Sequence, residues 1–330
     1  MGPDFELDDA QEAIVRLAGE VLSDNADTPE RLWKSLGQAG LLGLAVPVEL
    51  GGAGLGAMAT GLLLTEIGRH AARVPAWSTL CLGVLPVARW GSPEQQRDLL
   101  PGVLEGRVLT GALGEPGTGN GRITGKWSAV PYADRAYRIL VPATRGVALV
   151  DPAAPGVTLR PGPMSDEFVV LLDDVAAESL GDGTADPHRF AVAGACALGD
   201  GALAGALRMT AGHVRDRHQF GRPLATFQAV AQQIADVYVA SRTMHLASLA
   251  ACWEVENGEA EADLWTAAYW LSSEALPALR TCHHLHGGLG LDASYPLHRH
   301  TALVRDLVRH LGGAERCLDR LGAHGVHRPD

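Results

Sequence analysis

Residues 190–217 read FAVAGACALGDGALAGALRMTAGHVRDR. Alanine, glycine and leucine dominate, and charge is confined to Asp200, Arg208 and the closing Arg215, Asp216 and Arg217. Small apolar side chains on every face, rather than along one stripe, predict a long helix buried on several sides. Toward the C-terminus, Phe227, Val230, Ile234, Val237 and Met244 recur at helical spacing. Residues 260–285 carry Leu264, Tyr269, Trp270 and Leu276 on a third helix, and residues 303–321 supply a fourth. Four successive helices predict a bundle, and stripes such as Phe227/Val230/Ile234 serve as its core or as a subunit interface.

Upstream the texture changes. Between 107 and 183, short β-branched runs at 139–142, 147–150, 157–159 and 168–172 are separated by Gly and Pro, which predicts a small antiparallel β domain. Further upstream the pattern is helical again. Asp8, Asp9, Gln11 and Glu12 precede Ile14, Leu17, Val21 and Leu22, an acidic first turn followed by an apolar stripe. Trp33, Leu36, Leu41 and Leu42 suit a helix ending at Gly43, and residues 57–70 and 79–90 suit two more. Ser92-Pro93-Glu94 has the form of an N-cap with Pro at the first helical position. The predicted fold is mainly α with a small β domain, divided at 1–106, 107–183 and 184–330.

Composition narrows the function classes. With 47% hydrophobic and 20% charged residues, the 330-residue chain has too much apolar content for disorder. A net charge of −11 argues against a general nucleic-acid binder, which needs clustered cations to neutralise phosphates. Lys34 and Lys126 are the only lysines, so Arg, a planar bidentate donor suited to phosphates, carries nearly all the positive charge. Cys81, Cys196, Cys252, Cys282 and Cys317 are scattered, odd in number and free of C-x-x-C pairing, which excludes a disulfide scaffold or zinc ribbon. His283, His284, His286, His298 and His300 do not match a tetrahedral zinc spacing. The start, Met-Gly-Pro-Asp-Phe-Glu, lacks the basic and apolar regions of a signal peptide, and no window offers some 20 charge-free apolar residues. A soluble, cytoplasmic protein with no metal, nucleic acid or membrane is expected.

Five motifs in order carry a family resemblance. Leu44-Ala45-Val46-Pro47-Val48-Glu49-Leu50-Gly51-Gly52-Ala53-Gly54 resembles the N-terminal signature turn of acyl-CoA dehydrogenases. Leu113-Gly114-Glu115-Pro116-Gly117-Thr118-Gly119 resembles their T-E-P-x-A-G-S loop, and Thr124-Gly125-Lys126-Trp127 the G-x-K-x-W segment after it. Arg217-His218-Gln219-Phe220-Gly221-Arg222-Pro223 with Phe227-Gln228 resembles R-x-x-F-G…Q, and His286-Gly287-Gly288-Leu289-Gly290 the late G-G-x-G turn. The resemblance implies N-terminal helices, a central antiparallel β domain and a C-terminal four-helix bundle. It also implies FAD and an acyl-CoA substrate that loses an α-proton to a carboxylate and a β-hydride to the flavin.

In that family each FAD crosses a dimer interface, and the resemblance assigns the two halves differently. Arg217, Gln219, Phe220, Gln228, His284, Gly287 and Gly288 match the elements that reach the partner's pyrophosphate and adenosine, with Arg217 as a charge-assisted fork. The ring-binding half departs from the pattern: Gly114 replaces the Thr of T-E-P, Asn120 the polar residue of A-G-S, and Trp127-Ser128-Ala129 the W-x-T. Both family positions of the catalytic Glu are also vacant. Leu311 stands at one, and residues 191–199 contain no acid at the other. Asp200, Glu315 and His188 are the nearest titratable groups.

The segment from His286 to His300, followed by Leu311-Gly312-Gly313-Ala314, resembles the acyl-CoA dehydrogenases of actinobacterial steroid side-chain catabolism. Those are similar to α2β2 heterotetramers of a base-carrying subunit and a shorter subunit lacking the base. The resemblance therefore implies a base-deficient subunit that completes a partner's FAD site, with electrons passing to an electron-transfer flavoprotein. A self-sufficient homotetramer with a displaced base, and a non-redox scaffold, remain alternatives.

Overall fold

The structure is a computed structural model that describes residues 5–24, 28–119, 121–164, 166–258 and 261–325. The helices are α1 (Asp9–Asp24), α2 (Pro29–Gln38), α3 (Gly56–Arg69), α4 (Ala76–Thr79), α5 (Leu85–Trp90), α6 (Pro93–Leu104), α7 (His188–Asp216), α8 (Gln228–Asn257), α9 (Ala262–His286), α10 (Leu297–Leu311) and α11 (Gly313–Gly325). Two compact units emerge. One comprises Met1–Ser23, Gly61–Ala72 and Val192–Asp330, the other Asp24–Thr60 and Arg73–Ala191.

The first unit is helical. The 190–217 stretch forms α7 as predicted, and Ala195, Ala202, Leu203 and Ala206 on it are fully buried. α7 is long and apolar enough to pass a length-and-composition test for a membrane span, yet 89% of that window is buried inside the protein. Glycines on both helices set its packing against α3. A Cβ on Gly201 would overlap the Thr65 carbonyl, and one on Gly68 the Leu198 carbonyl, so the two backbones run in contact. Thr65 Oγ1 adds a hydrogen bond to Ala197 O at 3.2 Å.

Three helix expectations need correction. The helix expected to end at Gly43 stops at Gln38, because Gly40 (φ 76°) lies in the left-handed region and separates it from a 3-10 turn at Leu41–Gly43. The fourth bundle helix, predicted as one piece over 303–321, is two, because Gly312 (φ 85°) and Gly313 (φ 83°) lie in the left-handed region and break it. Upstream, the helix expected over 79–90 begins at Ala76 and widens into a π turn at Leu80–Val84. Pro86, just beyond, has no N–H to donate to Leu82.

The second unit holds α2, α4–α6 and the strands β1 (Val108–Gly111), β2 (Arg122–Pro131), β3 (Ala136–Pro142), β4 (Val147–Val150), β5 (Val157–Pro161), β6 (Glu167–Ala176) and β7 (Glu178–Ser179). They form two sheets, ordered β1-β3-β4-β7 and β2-β6-β5. The pairing is antiparallel except for β1 with β3, which is parallel because the intervening β2 joins the other sheet. Ile123, Trp127, Val130, Ile139, Val141, Val150, Val170 and Leu172 fill the core of the two sheets. The Ser92 N-cap is a full capping box: Ser92 Oγ accepts from Gln95 N (3.2 Å) and Gln95 Oε1 accepts from Ser92 N (3.0 Å).

Candidate functional site

The R-x-x-F-G stretch folds as a two-residue hairpin between β8 (His218–Gln219) and β9 (Arg222–Pro223). Phe220 (φ 51°) and Gly221 (φ 77°) occupy its tip, the pair of positive φ values that a type I′ turn requires. A phenylalanine in that conformation is uncommon, and here it stands 92% exposed. Local contacts hold the hairpin. Phe220 meets Phe227 edge-on at 6.2 Å, Arg222 stacks 4.1 Å over the Phe227 ring, and Leu224 N donates to Arg217 O at 2.8 Å. Arg217 and Gln219 are exposed, and Gln228 is the exposed first residue of α8.

The second group sits at the end of α9. His284 is exposed, and Gly287 caps the helix with φ 59° and ψ −134°. A Cβ at Gly287 or Gly288 would meet nothing within 4 Å, so both backbones lie bare. The two groups are tied together by residues that the motifs did not nominate. His213, one helical turn before Arg217, stacks on His286 with ring centroids 4.5 Å apart. His286 Nδ1 contacts Cys282 O at 2.8 Å and Nε2 contacts Tyr295 OH at 3.1 Å. Burial lowers the pKa of both histidines, helped at His213 by Arg217, and at His286 by His213 and His283 against the Cys282 carbonyl. Both are neutral at neutral pH. The i, i+4 spacing from His213 to Arg217 was the available signal; Tyr295 offered none.

The other histidines have structural tasks. His283 bridges Gly290 O (2.7 Å) and Thr301 Oγ1 (2.8 Å), latching the glycine turn to α10, and His300 is buried against Arg69 O (3.3 Å).

Arg217, an exposed guanidinium without a carboxylate partner among the described residues, and the bare amides of 287–288 suit a phosphate anion. These residues fit the pyrophosphate end of FAD. The ring-facing motifs, in the other unit, offer less. Gly114 (φ 129°) has no hydroxyl, Ser128 is exposed, and Ala129 sits at φ 59° in a bulge of β2. Thr124 Oγ1 accepts from Asp174 N at 3.0 Å. Trp127 is 2% exposed, its ring filling the space that side chains at Gly117 and Gly125 would need, and its indole N–H donates to Glu115 O at 3.0 Å. Asn120 lies outside the described residues.

The titratable candidates are dispersed. Asp200 is 2% exposed, with Oδ2 2.9 Å from His245 Nδ1, a partner that no motif flagged. Glu315 is exposed in the first turn of α11, and His188 opens α7 with its backbone N donating to Asp186 Oδ1 at 3.0 Å. Leu311 is buried at the end of α10.

Fold and motifs define an FAD-dependent oxidoreductase. The chain belongs to the acyl-CoA dehydrogenase family: the model of the N-terminal domain matches residues 8–107 and that of the C-terminal domain residues 182–323. It is 43% identical to acyl-CoA dehydrogenase FadE28 of Mycobacterium tuberculosis, over 97% of this chain and 98% of that protein. Among solved structures it resembles a variant of the Tcur3481–Tcur3483 steroid ACAD (36% identity, TM-score 0.89, 96% of this chain and 98% of that one). It also resembles the ChsE4–ChsE5 complex from Mycobacterium tuberculosis (30% identity, TM-score 0.90, 99% of this chain and 100% of that one).

Proposed function

We propose that this chain is the base-deficient subunit of a heteromeric, FAD-dependent acyl-CoA dehydrogenase. It completes a partner's FAD site through Arg217, Gln219, Phe220, Gln228, His284, Gly287 and Gly288, in an α2β2 heterotetramer. The observation that carries the reading is the contrast between the two halves of the motif set. The phosphate-facing elements present an exposed guanidinium and bare amides, while a buried leucine, Leu311, stands where the resemblance expects the proton-abstracting Glu. Two of the similar solved structures are two-component proteins, one of them a steroid ACAD, which supports both the partner and a steroid side-chain CoA ester as substrate.

The division of labour follows from charge. The chemistry supplied by bound FAD is acceptance of the β-hydride. Arg217 neutralises the pyrophosphate, and Gly287 and Gly288 offer backbone donors. A leucine cannot take up the α-proton, so the carboxylate comes from the partner subunit. The complex would hand its electrons on to an electron-transfer flavoprotein. A cytoplasmic setting in lipid metabolism and the division at 106 and 183 belong to the same reading.

The test is flavin absorbance and native mass, for the chain alone and co-expressed with a base-carrying acyl-CoA dehydrogenase. Flavin only in the mixed tetramer, at about half a flavin per chain, is expected for a site shared between two subunits. One flavin per protomer in the chain alone would overturn the proposal and make Asp200 and Glu315 the residues to mutate. A mixed tetramer that keeps its flavin after Arg217→Ala would favour the scaffold role.

A further inference from the structure

The unit that contains strands β1–β7 holds a cleft of ≈660 Å³ between α2 and the β2–β3 turn, a volume suited to a small-molecule site. None of the residues nominated for FAD lines it. Three guanidiniums border the cleft, and two are already paired. Arg73 Nη2 lies 3.2 Å from Asp166 Oδ2 and Arg135 Nη1 lies 3.6 Å from Glu30 Oε1. Arg107 differs. Its guanidinium stacks 4.1 Å over the Tyr137 ring, whose hydroxyl is anchored to Leu99 O. Face stacking occupies the π surface and leaves the N–H groups free at the guanidinium edge. The balance is one unmatched positive charge beside aromatic walls that include buried Trp33.

Tyr132 supplies a second, independent observation. Its φ is 52°, a conformation that suits Gly or Asn and strains a bulky residue. The turn itself is fixed by Tyr132 N donating to Asp166 O (2.7 Å) and Arg135 N donating to Tyr132 O (3.1 Å), bonds that glycine would make equally well. Tyrosine there lines the cleft while also packing against the core of the two sheets.

We propose that this cleft binds an amphipathic monoanion, a fused-ring skeleton with one apolar face and one carboxylate, with Arg107 holding the carboxylate and Tyr132, Tyr137 and Trp33 lying against the apolar face. One negative charge balances the surplus, whereas a phosphomonoester dianion overcompensates it in a partly desolvated site. The inference does not depend on how flavin binds.

Isothermal titration of the full chain with sodium cholate, a ring skeleton with one carboxylate, tests it. Saturable one-to-one binding is expected, weakened about tenfold or more by Arg107→Gln, since a charge-assisted hydrogen bond is lost. Arg107 is exposed, so that variant should fold normally. Tyr132→Gly relieves the backbone but removes a ring that also packs on the core of the two sheets, and is expected to bind weakly at a temperature where melting shows the variant folded. Adenosine monophosphate, titrated in parallel, is expected to bind less tightly than cholate. Absent cholate binding, an isotherm unchanged by Arg107→Gln, or tighter binding of the nucleotide would each overturn the proposal.

Discussion

Arg217 illustrates what one side chain can contribute when its neighbours leave it exposed. It follows the last turn of α7, one helical turn from the His213–His286 stack, and precedes a hairpin whose tip is 92% exposed. Replacing it with Ala should weaken FAD retention in the co-expressed complex on the order of tenfold, and Arg217→Lys should recover part of that, because charge survives while the fork is lost. Flavin absorbance per complex after gel filtration reads both. The histidine stack makes a pH prediction. His213 and His286 have folded pKa values below their ordinary value of 6.5, so between the folded value and 6.5 the unfolded chain binds more protons. Stability is therefore complete above about pH 6.5 and declines as pH falls toward the folded pKa values. Groups facing the pair are Arg217, His283 and Tyr295. Melting temperatures between pH 7.5 and 5.5 should fall with pH, and less steeply in His213→Gln. At this scale the sequence was informative where a motif names its residues, as in Arg217 to Gly221. It was silent on Tyr295 and on the Asp200–His245 pair, whose partners are joined only by the fold.

At the scale of elements, α7 shows how glycine sets helix distance. Gly201→Ala would drive a methyl into the Thr65 carbonyl of α3, and two rigid backbones must separate to admit it. A loss of about 3 kcal/mol is expected, read as a lower urea midpoint at unchanged slope. Gly212→Ala, on the same helix, has nothing within 4 Å of its added methyl and should be neutral or slightly stabilising. Periodicity located α7 and α9 to within a few residues because their apolar patterns are long, and it found the start of α8, whose named stripe stops at Met244 while the helix runs on to Asn257. It ran α10 and α11 together, since 303–321 keeps its helical spacing through a break made only by two backbone φ values. The four-residue β1 and the ten-residue β2 passed unnoticed in the sequence: β2 alternates around glycine and serine rather than in a β-branched run, and the parallel partner of β1 lies beyond an intervening strand of the other sheet.

Across the whole molecule, texture divides the chain into three consecutive segments, whereas packing gathers residues 61–72 with 192–330. The reason is long-range contact: Thr65 and Ala197 bond across 132 positions, and no local pattern records such a pairing. The same clustering gives the five cysteines a use. None is in a disulfide and all are buried, Cys81 in one unit and Cys196, Cys252, Cys282 and Cys317 in the other. Burial raises the pKa of the latter four, suppressing the thiolate that alkylating reagents attack. In native buffer a maleimide should label the chain only as fast as its interior opens. Peptide mapping then separates two clocks, since modification at position 81 times the breathing of the strand-bearing unit and modification at the other four times that of the bundle. The protein carries its own stopwatch for each half, without an engineered probe.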